Sequence, residues 1–95
     1  MKGYVVCVYK SISNEGKLKE YVIKARIAVE KYEGKFLIRG GKAEINEGNS
    51  SPRTVVIEFP SFDGANQFYN SKEYQDAHSI LKGYAVRQHQ IVEGS

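Results

Sequence analysis

Arg39-Gly40-Gly41 and the later run Thr54-Val55-Val56-Ile57-Glu58-Phe59-Pro60-Ser61 place a cation and a carboxylate in segments that are otherwise apolar. A charge in such a segment is costly unless it is paired or used. Two chemistries follow. Arg39 can hold an anionic or enolate oxygen while Glu58, its pKa raised by burial, positions the ligand or moves a proton. Alternatively the two side chains form a cross-strand ion pair that fixes register. Gly40 and Gly41 keep the first reading open beside the second, because paired glycines within a strand permit close approach to the backbone.

The other candidates are aromatic or weakly basic. The chain holds seven tyrosines, and Tyr4, Tyr32, Tyr69 and Tyr74 fall on core-facing positions where each hydroxyl needs a partner. The plainer reading is packing, with the hydroxyls reaching the surface or water; the functional one is that Tyr69 and Tyr74 present theirs to an aromatic or carboxylic ligand. His78, one helical turn beyond Tyr74, offers a general base or a haem ligand; a boundary histidine bonded to a carbonyl or water is the plainer reading. His89, between Gln88 and Gln90, reads as a surface or interface residue. Cys7, the only cysteine, excludes an internal disulfide and reads as a small hydrophobe without a flanking cation to favour a thiolate. No His-x-His or Glu-x-x-His spacing occurs, so no metal site is expected. Glycine-rich nucleotide loops and the serine-hydrolase elbow are absent as well.

These side chains must be held by a small number of elements. Residues 3–9 are β-branched and aromatic throughout, apolar on both alternating faces, and predict a strand that is covered on each side. From Leu18 the period becomes helical: Leu18, Tyr21, Val22, Ala25, Ala28, Val29 and Tyr32 form one stripe. The spacing predicts a helix over 14–33, capped by Ser13 or Asn14 and stopped by Gly34 as a left-handed residue. Residues 35–39 and 42–47 read as a strand interrupted by Gly40-Gly41, and 53–60 as its hairpin partner across a Gly48-Asn49 turn. Counting back from that turn without a bulge sets Arg39 opposite Glu58. Ser61 caps a helix over 62–70, Ser71 caps another over 72–82 with Gly83 as its stop, and 86–93 form the last strand. This order is the α+β, ferredoxin-like βαββαβ plan, an antiparallel sheet in order 4-1-3-2 with helices on one face.

Composition narrows the function classes. A length of 95 residues predicts a single domain over 1–95, and 41% hydrophobic with 26% charged residues is too apolar for disorder. The net charge of +3 is spread over interleaved acidic and basic residues, not gathered on one face, which argues against nucleic acid as a partner. No run approaches the ~20 apolar residues of a membrane span, and the N-terminus lacks a signal pattern, so a cytoplasmic location without membrane association is expected. Two helical segments can cover only one face of a four-stranded sheet. Val56 and the second face of the first strand leave the other face too apolar to stay wet, so a homodimer with sheets face to face is expected.

Four segments carry a resemblance. Lys2-Gly3-Tyr4-Val5, Lys31-Tyr32-Glu33-Gly34-Lys35-Phe36-Leu37-Ile38-Arg39-Gly40-Gly41, Val56-Ile57-Glu58-Phe59-Pro60-Ser61 and Phe68-Tyr69-Asn70-Ser71-Lys72-Glu73-Tyr74-Gln75 resemble the domain-of-unknown-function family numbered 1330, within the dimeric α/β-barrel superfamily. The resemblance spans nearly the whole chain. It implies two four-stranded sheets forming a barrel, helices outside, and one pocket per subunit. The family's Arg-Gly-Gly then falls on Arg39, Gly40 and Gly41, its strand glutamate on Glu58, and its Ser-x-Glu-Tyr on Ser71, Glu73 and Tyr74. Ser13-Asn14-Glu15-Gly16 departs from the family's commoner Asp-Pro-Glu, a matter of capping only. The superfamily includes cofactor-free monooxygenases, isomerases, polyketide cyclases, haem-binding peroxidases and ligand-sensing modules, and fold alone does not choose among them. The expected function is binding of a small anionic, aromatic or phenolic ligand without a cofactor, through Arg39, Gly40, Gly41, Tyr69 and Tyr74. The alternative is a cofactor-independent monooxygenase- or isomerase-like enzyme with Glu58 or His78 as base and Arg39 as oxyanion partner. A purely structural dimer is the third possibility.

Overall fold

A computed structural model describes all 95 residues. Seven elements follow one another: β1 (Gly3–Ile12), α1 (Glu15–Lys31), β2 (Lys35–Arg39), β3 (Thr54–Phe59), α2 (Phe62–Asn70), α3 (Lys72–Leu81) and β4 (Ala85–Glu93). The strands form one antiparallel sheet in the order β2-β3-β1-β4. This is the expected ferredoxin-like arrangement read from its other edge.

The two faces of the sheet differ. Val5, Cys7 and Tyr9 of β1 and Val55, Ile57 and Phe59 of β3 are buried under the helices. They meet Leu18, Tyr21, Ala25, Ala28 and Val29 of α1, Ala65 and Phe68 of α2, and Tyr74, Ala77 and Leu81 of α3 in one core. Alternate residues on the same strands, Tyr4, Val6, Val8, Val56 and Glu58, remain half-buried on the opposite face. Tyr4 therefore points away from the core it was expected to join, its hydroxyl donating to Glu58 at 3.3 Å.

Local signals set the helix ends. Asn14 caps α1, its side chain accepting from Lys17 N at 3.0 Å, and Ser61 and Ser71 cap α2 and α3 by accepting from Gly64 N and Tyr74 N. At the end of α1 the left-handed residue is Glu33 (φ 62) and not Gly34. Gly34 N then bonds back to Val29 O at 2.8 Å, the six-to-one closure of a Schellman turn. Gly34 is needed for space: a Cβ there would sit 2.7 Å from both Phe59 and Val29.

The expected second half of the β2 strand does not form. Pairing ends where Gly40, in the left-handed region (φ 70), donates to Thr54 O, and residues 41–53 make a long irregular loop instead of a tight Gly48-Asn49 turn. Ser51 ties the end of that loop to β1, its hydroxyl 2.6 Å from Tyr9 O. A bulge between Phe36 and Ile38 shifts the register further. As a result Arg39 lies opposite Val55, while Glu58 lies opposite Lys35 on one side and Tyr4 on the other. Successive residues of a strand face opposite ways, so Arg39 and Glu58 sit on opposite faces of the sheet.

Candidate functional site

β4 alternates between a wet face and an interior face. Val86, Gln88, Gln90 and Val92 are exposed, whereas Ala85, Arg87, His89 and Ile91 are half-buried toward the helices. Register with β1 sets Arg87 beside Tyr9 and His89 beside Cys7. A guanidinium is thus carried beneath the helical layer, where hydroxyls converge on it. Arg87 Nη1 donates to Tyr9 Oη and Tyr21 Oη, both at 3.1 Å, and contacts Cys7 Sγ at 3.6 Å. Its Nη2 donates to Tyr74 Oη at 2.7 Å. Tyr21 and Tyr74 share a further hydrogen bond of 3.0 Å between their hydroxyls.

Every partner of Arg87 is uncharged. Burial pushes the Tyr9 phenol up to about 12, with the Tyr21 oxygen adding to the effect. Burial likewise raises Tyr21, Tyr74 and the Cys7 thiol. For Arg87 burial acts downward, but the surrounding phenol and thiol groups outweigh it and the guanidinium stays protonated. The five ion pairs of the molecule join Lys2–Glu58, Lys17–Glu20, Arg26–Glu30, Lys31–Glu73 and Lys72–Asp76; none reaches Arg87. A buried charge without a counter-charge costs several kcal/mol before hydrogen bonds offset it. Dipoles alone hold this one.

The guanidinium borders a cavity of about 40 Å³ between sheet and helices, whose wall includes Arg39, Arg53 and His89 and no carboxylate. That volume holds a few waters. At the cavity mouth Val22, Arg39 and Arg53 are shared with a shallow groove along α1. His89 adds a neutral acceptor to the wall: burial, then the Arg87 and His78 charges, push its pKa down to about 4. Tyr69 and Tyr74 flank its ring at centroid distances of 5.0 and 6.1 Å.

The sequence matches the family described as Domain of unknown function (DUF1330) over residues 2–95. The chain belongs to the DUF1330 family. A comparison with curated proteins found no match. Among solved structures, this DUF1330 chain is similar to RPA0582, a protein of unknown function from Rhodopseudomonas palustris (TM-score 0.79, 10% identity, 99% of this chain and 82% of that one). It is similar also to a dimeric ferredoxin-like protein of unknown function from Jannaschia sp. CCS1 (0.69, 11%, 99% and 100%). A third is a variant of SnoaB, a cofactor-independent oxygenase from Streptomyces nogalater (0.68, 8%, 98% and 92%). At such identities the likeness concerns the fold alone.

The residues singled out in the DUF1330 sequence divide between two faces. Arg39 reaches the cavity mouth, stacked 4.3 Å over the Phe36 ring. Gly40 makes room for a side chain of the protein itself, since a Cβ there would lie 2.4 Å from Arg53 Nη1; Gly41 has open space. Tyr74 bonds Arg87, Tyr69 packs on His89, and His78 stacks parallel to the Tyr74 ring at 6.1 Å, away from the cavity. Glu58 lies on the far face, bonded to Lys2 at 2.9 Å, and that bond holds its pKa below the ordinary carboxylate range. From the sequence either a pair with Arg39 or a pKa raised by burial is expected; Glu58 has neither, because it faces the side of the sheet away from Arg39 and bonds Lys2 there. Sequence reasoning passes over Arg53 and Arg87 and sets His89 at the surface or an interface, and the one local hint is the company of the last two on β4. Arg87 and His89 share the phase of Ala85 and Ile91.

Proposed function

We propose that the protein binds a small organic anion, a carboxylate or phenolate, between its sheet and helices, as a homodimer. The observation that carries this reading is the half-buried Arg87 guanidinium, held by three tyrosine hydroxyls and matched by no carboxylate. A guanidinium fork is suited to a planar carboxylate, and Arg87 Nε donates to no acceptor within the protein. Apolar and aromatic walls around a few polar groups are the usual make-up of a small-molecule site. Arg39 and Tyr74 belong to this reading, with Tyr69 supporting the His89 ring and Gly40 and Gly41 shaping the mouth. The dimer rests on the uncovered apolar face and on the similarity to proteins described as dimeric.

One observation favours a catalytic variant of the same reading. A neutral imidazole, His89, and a protonated guanidinium share the cavity wall, the pairing of base and oxyanion partner that abstraction of a proton from an enolisable acid requires. In that variant His89 takes the place of Glu58 and His78 as base.

Isothermal titration calorimetry with benzoate as the probe tests the binding reading. Wild-type protein takes up one benzoate per chain, and Arg87→Gln weakens it by about tenfold or more, the loss of a charge-assisted bond. Arg26→Gln, which removes a surface guanidinium paired with Glu30, leaves it unchanged. Equal affinity in wild type and Arg87→Gln overturns the proposal.

A further inference from the structure

We infer that the ligand carries two acidic groups, one held at Arg87 and the second at Arg53 and Arg39 at the cavity mouth. The inference rests on the anion-binding reading above and adds the substrate class, a dicarboxylate or equivalent dianion. Arg53 and Arg87 flank Tyr9 from opposite sides. Tyr9 N donates to Arg53 O at 2.9 Å on the β3 side, and Tyr9 lies opposite Arg87 on the β4 side. Neighbouring strands are about 4.8 Å apart, so the two arginine backbones stand roughly 10 Å apart across the sheet. Both side chains border the same cavity. A molecule reaching from one to the other must lie along the row formed by Tyr9, its anionic ends apart and its apolar middle against the aromatic wall.

Arg53 shows the same imbalance as Arg87. Its Nε is buried with no hydrogen-bond partner, the only side-chain nitrogen or oxygen in the molecule in that condition. A buried donor left unsatisfied marks a missing acceptor. The backbone is built around this guanidinium, since Gly40 is the residue that lets Arg53 Nη1 lie against it. Arg39 comes to the same mouth from β2. None of these arginines joins an ion pair. One acidic group would compensate Arg87 and leave two like charges at the entrance. Two acidic groups satisfy both ends.

Calorimetric titration of pentanoate, hexanoate and heptanoate against pentanedioate, hexanedioate and heptanedioate reads this directly. In wild-type protein one diacid binds about tenfold or more tighter than the monoacid of the same length, as expected for an added charge-assisted contact, and the advantage peaks at one length. In Arg39→Gln with Arg53→Gln the ratio of diacid to monoacid affinity falls to about one, whereas Arg53→Lys retains part of the ratio. Equal binding of monoacids and diacids by wild type overturns the second subsite while the Arg87 site stands. An advantage that survives the double variant overturns its assignment to these arginines. Binding of neither series while benzoate still binds overturns the diacid inference alone, and failure of benzoate as well overturns both readings. The wild-type comparison needs no variant to fold.

Discussion

At neutral pH His89 is uncharged, and its burial is the main reason, with the neighbouring Arg87 adding to it. Burial and the guanidinium together hold its pKa near 4, against an ordinary 6.5, and His78 is lowered in the same direction by burial, Arg87 and Lys82. The unfolded chain therefore binds more protons than the folded one between these values, so stability falls as pH drops from 6.5 toward 4. The His89 contribution to that fall is about 2–3 kcal/mol. Thermal or urea unfolding followed from pH 7 to pH 4 gives a shallower decline for His89→Gln than for wild type; parallel curves contradict the assignment. From the sequence His89 looked like a surface residue between two glutamines, and Arg87 drew no notice. Their orientation depends on pairing with β1 across most of the chain length, information that no local pattern carries. Arg39 itself is exposed and stacked over Phe36, so the rule that a charge among apolar residues is paired or used does not bind it. Applied to the Ala85, Arg87, His89 and Ile91 phase of β4, that rule points to the cluster that the structure assembles.

Among the elements, helices were legible and one hairpin was not. Asn14, Ser61 and Ser71 cap where their residue type predicts, because capping and a 3.6-residue stripe are decided within a few residues. The β2–β3 pairing is set by a distant loop. Residues 41–53 make no strand, and with the Phe36/Ile38 bulge this moves Arg39 three positions along β3, from Glu58 to Val55. Strand faces alternate, so that odd shift separates the proposed pair completely. Gly34 shows a similar division: a helix stop was correctly placed near it, but the left-handed backbone belongs to Glu33. The consequence can be measured. Gly34→Ala forces a Cβ within 2.7 Å of Phe59 and Val29 and lowers unfolding free energy by about 1–3 kcal/mol, the usual cost of overpacking. A neutral effect in urea titration would show that α1 and β3 have slack at this junction.

For the whole molecule, the unresolved demand is the second face of the sheet. Tyr4, Val6, Val8 and Val56 lie there half-buried, and Val86 and Val92 are 57% and 43% exposed. No helix of the chain is long and apolar enough to cross a membrane. Face-to-face packing of two such sheets buries on the order of 1,200–2,000 Å², enough for a stable homodimer. Light scattering at micromolar concentration then gives twice the 10.7 kDa chain mass, and Val86→Asp with Val92→Asp gives the single-chain mass. A wild-type monomer contradicts the dimer without touching the cavity, because Arg87 and the apolar patch face opposite ways.

The most direct test is nuclear magnetic resonance of the arginine Nε–H groups while benzoate is added at neutral pH. A saturable shift of the Arg87 resonance, with Arg26 unmoved, is the predicted result: the guanidinium that lacks a counter-charge inside the protein takes one from solution. An Arg87 signal that stays still at saturating benzoate would mean that the tyrosine hydroxyls satisfy it fully and that its role is structural.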